Sequence, residues 1–300
     1  MAAFASMPPM LSNLAALLGA GSIWALTPSM AKLALEQGMR PLGITALAAV
    51  AAAATLYAIA LAKREAPPWD RAHLLQYATG GIVGLSLAQF FAFTGLQRAP
   101  AGLFALVVPL SALFTVIFFA LARIERATLR SLGGAAVGML GVALAMAPGA
   151  ALPDPALLPW AAIMLLSPVC YAASNLFSVK FAVRGTSPLA QAAGTLVLAA
   201  AGAALVAWPL GHLSLPRAGW IWALLMAQGV LTALAYLLYF RLLVRAGGVF
   251  TSQISYVVTL TGLLWGFVLF AEVPGWLTIP AAALIFAGVA LVTLEKRARR

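Results

Sequence analysis

Long apolar runs broken by short polar segments are the feature that most constrains this chain. Of its 300 residues, 64% are hydrophobic and only 8% are charged, whereas soluble domains carry about 25% charged residues. So few charges cannot cover a water-facing surface, and a membrane-spanning helix needs about 20 apolar residues. The runs lack the strict alternation of membrane β-barrel strands. The sequence therefore predicts an all-α integral membrane protein.

Charged residues and Pro/Gly clusters divide these runs into ten predicted membrane spans with short connecting loops. Each span is close to the length that crosses the hydrocarbon core of a bilayer. In chain order, the predicted spans 1 to 10 are 13–35, 42–62, 73–97, 100–122, 130–147, 157–180, 189–211, 219–245, 248–270 and 277–295.

The distribution of basic residues predicts the orientation of these spans. If all ten cross the membrane, fourteen of the eighteen Lys and Arg residues lie on the side of the N-terminus. The remaining four lie on the other side, and they are Lys32, Arg40, Arg98 and Arg217. Basic residues concentrate on the cytoplasmic side of membrane proteins, so we expect both termini in the cytoplasm.

The two halves of the chain match each other at a shift of 147 residues. Under this shift Pro41 falls on Pro188, and Glu125 falls on Glu272. Each repeat contains five predicted spans, an odd number, so the second repeat must enter the membrane in the opposite orientation. Inverted repeats are typical of secondary transporters, whose substrate site lies near the middle of the membrane between the halves.

Two segments, one in each half, carry a family resemblance. They are LQRAPAGLFALVVPLSALFTVIFFALARIERATLRSLGGAAVGMLGVALA and LVRAGGVFTSQISYVVTLTGLLWGFVLFAEVPGWLTIPAAALIFAGVALVTLEKR. In these segments the chain resembles the drug/metabolite transporter superfamily, specifically proteins with two tandem EamA-type domains. Within that superfamily it looks closest to bacterial amino-acid exporters of the YddG type.

The resemblance implies a domain organisation and a place for the substrate. We expect a first EamA-like repeat at 1–148, a short linker at 149–156 and a second, inverted repeat at 157–300. The resemblance implies a central cavity lined mainly by spans 1, 3, 4, 6, 8 and 9, with spans 5 and 10 at the periphery. It also implies a multi-pass location in a bacterial inner membrane.

Spans 1, 3, 6, 8 and 9 carry the polar and aromatic residues that we take as candidates for substrate binding. In spans 3 and 9 they follow the i, i+3, i+4, i+7 spacing of one helical face. Aromatic walls with a few amide and hydroxyl groups suit a small amphipathic solute, although hydroxyls also bond their own helix or join neighbouring helices. The candidates are Trp24, Gln89, Phe90, Phe93, Tyr171, Ser174, Asn175, Tyr236, Tyr239, Ser252, Tyr256 and Thr259.

Proline and glycine add two expectations about helix geometry. Pro28, Pro109 and Pro168 lie inside spans 1, 4 and 6, where proline frees a backbone carbonyl and kinks the helix. Such carbonyls could hold an ammonium group, or the kinks could serve packing alone. Gly134 and Gly138 in span 5 permit close helix packing, which we expect to be against span 10.

The placement of charges argues against several kinds of site. All seven Asp and Glu residues lie at span ends or in loops, so no carboxylate is placed for a proton relay through the membrane. We read Glu125 and Glu272 as helix-end anchors, and Lys32 and Lys180 either as side chains that reach the interface or as an anion-attracting mouth. Cys170 is the only cysteine, and we expect no metal, no cofactor and no nucleic-acid partner.

These observations predict a monomeric secondary transporter, not an enzyme, that exports small metabolites by alternating access. Amino acids, among them aromatic and neutral ones, are the leading substrates because a zwitterion needs no buried ionic partner. Drugs and other neutral metabolites are the alternative within the same family. An intramembrane enzyme would need a polar catalytic group at depth, and both histidines of the chain are peripheral. We further expect transport without proton coupling.

Overall fold

The computed structural model describes residues 9–124, 128–147, 150–152, 154–183, 185–251 and 253–298. Within these ranges the fold is all-helical, and each predicted span corresponds to one helical segment. The segments are α1 Pro9–Glu36, α2 Pro41–Ala62, α3 Arg71–Leu96, α4 Ala101–Leu121, α5 Leu129–Ala145, α6 Pro155–Lys180, α7 Pro188–Ala207, α8 Gly219–Thr251, α9 Ile254–Phe270 and α10 Thr278–Ala298.

Seven of these segments are long and apolar enough to cross a membrane, namely α1, α2, α3, α4, α6, α7 and α8. The described apolar stretches of α5, α9 and α10 are shorter, at 10 to 17 residues each. A multi-pass membrane protein follows from the seven spans. That all ten segments cross remains a prediction, as does the side on which the termini lie.

The boundary between α8 and α9 differs from the prediction. We expected a break after Arg245, but α8 continues through the two glycines to Thr251, and α9 begins at Ile254. Glycine lowers helix propensity by only about 1 kcal/mol, and no proline follows to end the helix. With 33 residues, α8 is about 50 Å long, which exceeds the roughly 30 Å of a hydrocarbon core.

Three helices are interrupted near the middle of the bundle. In α3, residues Thr79–Leu87 form a wide π-helical stretch. The two parts of α4, Ala101–Val107 and Leu110–Leu121, are separated at Pro109. In α6 the break falls at Leu165, just before Pro168, because proline has no N–H to bond the carbonyl four residues earlier. By contrast, α1 is helical through Pro28.

The α5–α10 pair shows the internal repeat in three dimensions. A Cβ placed on Gly288 would lie 2.6 Å from the backbone N of Gly138, and one placed on Gly141 would lie 2.8 Å from the backbone N of Ile285. Under the shift of 147 residues these are the same contact made twice, since 138 falls on 285 and 141 on 288. The predicted pairing of span 5 with span 10 is therefore confirmed, and glycine is needed at both positions.

The remaining helices pack in pairs that the same shift relates. Helix α2 packs against its own equivalent, α7, and the α1–α8 contact corresponds to the α3–α6 contact. Likewise, α8 packs on α2 as α3 packs on α7. Such pairing is what two inverted five-helix repeats produce.

Contacts between loops group the helix ends into two faces. The N–H of Gly275, between α9 and α10, donates to the carbonyl of Ala150, between α5 and α6, at 3.1 Å. At the other face, Nε2 of His73 at the start of α3 lies 2.8 Å from Oγ1 of Thr186, just before α7. Both contacts join ends that ten alternating crossings would place on the same side of the membrane.

Candidate functional site

An aromatic cluster joins α1 to α8 near the middle of the bundle. The ring of Trp24 lies 5.7 Å from that of Tyr236 and 5.3 Å from that of Tyr239, measured between centroids. Phe240 contacts both tyrosines, at 6.2 and 5.2 Å. The three predicted residues of this group are partly exposed, so they present an aromatic wall with two phenol hydroxyl groups. Such a wall suits the apolar part of an amphipathic solute.

A polar pair joins α6 to the second part of α4. The side-chain amide of Asn175 donates from Nδ2 to Oγ1 of Thr115 at 3.1 Å, and Asn175 is exposed. Tyr171, one turn earlier in α6, is half-buried and lies near Tyr236. The structure thus places Tyr171 near the aromatic cluster and Asn175 one turn further along α6, in contact with α4. Thr115 was missed, although Ser111 and Thr115 lie one turn apart in span 4.

The other predicted residues divide between partly open and fully packed positions. Gln89 and Phe90 on α3 and Tyr256 on α9 are half-buried. Ser174 is buried, and Phe93 lies within the main hydrophobic core. Thr259 is also buried, and its hydroxyl donates to the carbonyl oxygens of Ala105 and Ser255 at 2.9 and 3.0 Å. Ser252 lies outside the described residues.

A π-helical stretch positions Gln89 and Phe90. Its glycines allow α3 to approach α6 and α7, since a Cβ on Gly81 would lie 2.7 Å from the backbone N of Ala199. The hydroxyl of Ser86 donates to the carbonyl of Ala199 at 2.7 Å, which ties the stretch to α7. Stretches of this kind are common at functional sites. The glycines at positions 80, 81 and 84 are its sequence signal, but no π-helix was predicted from them.

One end of the bundle, hereafter the sealed end, is closed around Glu272. Nζ of Lys32 at the end of α1 lies 2.6 Å from Oε1 of Glu272, and it sits 4.6 Å over the ring of Phe270. The same carboxylate accepts the backbone N–H groups of Ala101 and Gly102, both at 2.8 Å. A carboxylate at a helix start satisfies N–H groups that have no partner within the helix.

The local backbone explains how Glu272 reaches α4. Ala271 takes a left-handed conformation with φ 50°, and this turns the chain back over the end of α9. A Cβ on Gly266 would lie 2.6 Å from Oε2 of Glu272, so only glycine leaves room for the carboxylate. The predicted reading of Glu272 as a helix-end anchor is in accord with this geometry, and Lys32 pairs with it instead of reaching the interface alone.

The opposite end, hereafter the open end, is packed much less tightly. Residues Ala101–Val107 of α4 are buried against α9, whereas α9 makes few or no contacts with Leu110–Leu121. In the same way α1 packs on α4, but the equivalent pair, α6 and α9, makes few or no contacts over the described residues. Lys180 is exposed at this end, with Nζ 5.9 Å over the ring of Phe181. Glu125, the repeat equivalent of Glu272, lies outside the described residues.

Groups able to exchange protons occur at the helix ends. At the start of α3, Asp70 caps the helix and bonds Nδ1 of His73. The hydrogen bond from His73 holds the pKa of Asp70 below its usual value. In the loop before α8, burial and the nearby charge of Arg40 lower the pKa of His212. No group of three or more potential metal ligands occurs within the described part of the chain.

The apolar helices and the internal repeat of five helices are features of membrane transporters. The sequence profile of the EamA-like transporter family matches residues 11–147 and again 158–294. These two matches cover most of the chain, which therefore belongs to the EamA-like transporter family with two tandem EamA domains.

One solved structure and one negative result complete the comparisons. The fold is similar to that of a protein known from a crystal structure, with a TM-score of 0.64 over 95% of this chain and 98% of that chain. The two sequences are 24% identical, so this similarity shows the fold alone. No curated protein matches the chain in sequence.

Proposed function

We propose that this protein is an exporter of small neutral or zwitterionic metabolites, with amino acids, aromatic and neutral ones among them, as the leading substrates. One observation carries the proposal: the site between the sealed and open ends is lined by aromatic, hydroxyl and amide groups. Trp24, Tyr236 and Tyr239 would hold the apolar part of the solute, and Asn175 would bond its polar part. A zwitterion needs no charged partner there, whereas a phosphorylated solute would need Lys or Arg.

Transport would proceed by alternating access. In the described conformation the solute enters from the open end and reaches the aromatic cluster. The sealed end then opens by separating Glu272 from Lys32 and from the start of α4, while the other end closes. The repeat supports this exchange, because Lys180 and Glu125 stand at nearly the equivalent sequence positions at the open end.

The proposal includes an orientation and a cellular location. If all ten segments cross the membrane, the sequence assigns fourteen of the eighteen basic residues to the side of the open end. That end would then face the cytoplasm of a bacterium, with the protein a monomer in the inner membrane. Single cysteines at Ser214 and Arg300 in a Cys170→Ser background give the test. Impermeant thiol reagents on intact cells should label position 214 and spare position 300, and the opposite labelling would refute the orientation.

Flux measured in proteoliposomes tests the function itself. We expect radiolabelled L-phenylalanine or L-threonine to equilibrate across the membrane with purified protein and not with empty liposomes. The sequence places all seven carboxylates at span ends or in loops, so we also expect an imposed pH gradient or membrane potential to leave the final distribution unchanged. Accumulation against a concentration gradient, driven by protons, would show coupling and refute that part of the proposal.

A competing panel separates the alternatives within the family. If unlabelled drugs or neutral non-amino-acid metabolites inhibit flux strongly and amino acids do not, the substrate class is the alternative one. An intramembrane enzyme would instead convert a solute chemically, which chromatography of the transported label detects. The substrate panel also tests the YddG-type specificity. Separate expression of the two halves tests the repeat boundaries at 148 and 157.

A further inference from the structure

Gln228 in α8 is a fully buried amide without a partner. Its side chain is 0% exposed, and neither Oε1 nor Nε2 has a hydrogen-bond partner among the described residues. An amide side chain has two N–H donors and an acceptor oxygen, and burying them unpaired is unfavourable, above all where water is excluded. Native structures contain few such groups, and each needs a physical explanation.

The position of Gln228 connects it to the candidate site. Gln228, Thr232, Tyr236 and Tyr239 follow one another at intervals of four, four and three residues, so they lie on one face of α8. Tyr236 and Tyr239 contact Trp24, and Gln228 is about 12 Å from Tyr236 along the helix axis. The same face of α8 therefore runs from the aromatic cluster to the unpartnered amide.

The packing of α8 on α1 shows in which direction that face leads. Towards one end, a Cβ on Gly19 of α1 would lie 3.4 Å from Leu238. Towards the other, Ile221 of α8 belongs to the same buried cluster as Ala31 and Ala34 of α1. The two helices are thus antiparallel, and Gln228 lies between the aromatic cluster and the sealed end, whose Lys32 is adjacent to Ala31.

We propose that Gln228 is a substrate-binding residue of the exit pathway, dry while the sealed end is closed and in contact with the solute once it opens. The inference rests on the proposed function. An uncharged amide both donates and accepts, so it fits a solute that carries both kinds of group, such as the ammonium and carboxylate of an amino acid. Its unpaired state also destabilises the sealed conformation relative to an opened one in which the solute pairs the amide.

Substitution by leucine separates this role from a structural one. Gln228→Leu keeps the side-chain size and removes the polar atoms. We expect the thermal unfolding midpoint in detergent to stay equal or rise, because an unpaired buried amide is lost, while efflux of radiolabelled L-phenylalanine or L-threonine falls at least tenfold. We also expect KM to rise for solute supplied at the sealed end and to change less than twofold at the open end.

A matched control comes from α2. Thr45 is equally buried, but its hydroxyl donates to the carbonyl of Pro41 at 3.1 Å, so Thr45→Val should lower the unfolding midpoint slightly and leave flux within twofold of wild type. Flux of Gln228→Leu within twofold of wild type would overturn the inference. A parallel loss of stability and flux would also overturn it, by assigning Gln228 a structural role. Absence of flux in the wild type would instead refute the proposed function.

Discussion

The sealed end and the open end are built from equivalent parts of the repeat, yet they are packed differently. At the sealed end the first part of α4 is buried against α9, and Glu272 binds both Lys32 and the start of α4. At the open end the second part of α4 makes few or no contacts with α9, and Asn175 and Lys180 are exposed. Two nearly equivalent sequences thus support two packing states, which is the property that exchange between the states requires.

The sealed end is closed by polar contacts and carries strain. Its polar contacts are one carboxylate, one ammonium group and two backbone N–H groups, and they add to the apolar packing of Ala101–Val107 against α9. Ala271 holds a left-handed φ of 50°, which costs a residue other than glycine about 1 kcal/mol.

Removing the Glu272 carboxylate should have the largest effect on the difference in packing between the two ends. In Glu272→Ala, α4 loses a helix-start acceptor worth about 1 kcal/mol and a charge-assisted bond worth about as much again. We expect the equilibrium between the closed and opened conformations of the sealed end to shift about 30-fold towards the opened one, since about 1.4 kcal/mol corresponds to a factor of ten. Hydrogen–deuterium exchange in Ala101–Val107 measures it, with Glu65→Ala on the exposed α2–α3 loop as control. Exchange that stays at the wild-type rate would contradict the account.

Relieving the strain at Ala271 should act in the opposite direction and less strongly. In Ala271→Gly the left-handed turn costs less, so the sealed end should be stabilised by about 1 kcal/mol. We expect exchange in Ala101–Val107 to slow roughly fivefold and solute flux to fall with it. Faster exchange in this variant would show that the turn does not belong to the sealed state.

At the open end, loss of the Asn175 amide should have a smaller and local effect. The Asn175–Thr115 bond is solvent-exposed, so we expect Asn175→Ala to change stability by less than about 1 kcal/mol. Solute KM at the open end should nevertheless rise several-fold, because Asn175 is proposed to bond the solute. Thr55→Val is the control, since its hydroxyl donates only to the carbonyl of Ala51. An unchanged KM for Asn175→Ala would remove this residue from the site.

The smallest effect concerns pH and His212, which lies at the sealed end. Burial and Arg40 lower its pKa below the usual 6.5, so the unfolded chain binds more protons than the folded one just below that value. Stability contributed by the neutral imidazole is therefore present above about pH 6.5 and is lost as the pH falls. Thermal unfolding between pH 7.5 and 5.5 should show a shallower decline for His212→Gln than for wild type. Identical slopes would contradict this assignment.

Much of the fold could be predicted because its causes lie in the sequence. Apolar length marks the helices, and the small residues Gly134 and Gly138 indicate the α5–α10 contact, where a Cβ on Gly288 would meet both. The break at Pro109 follows from the missing N–H of proline. The break in α6 was expected at Pro168 and falls at Leu165, within one turn of it. The predicted α8–α9 boundary was wrong, because the helix continues through the two glycines at that position.

The candidate site was harder to predict, because polar spacing does not say which conformation is present. Trp24, Tyr236 and Tyr239 were chosen as separate candidates on spans 1 and 8, and the structure brings their rings together. Thr259 follows the same pattern but joins α9 to α4 in the sealed half. The role of Glu272 depends on contacts 171 and 240 residues away in sequence, and no local pattern contains such information. Tertiary packing alone brings these groups together.

Thiol accessibility at both ends tests the central claim, that one end opens only as the other closes, most directly. In a Cys170→Ser background, Ala105→Cys reports on the α4–α9 contact of the sealed end, and Asn175→Cys reports on the open end. The account predicts that an impermeant thiol reagent labels position 175 and spares position 105 in the resting protein. Adding Glu272→Ala should reverse the pattern. Labelling of both positions under every condition would describe a permanent channel and would contradict alternating access.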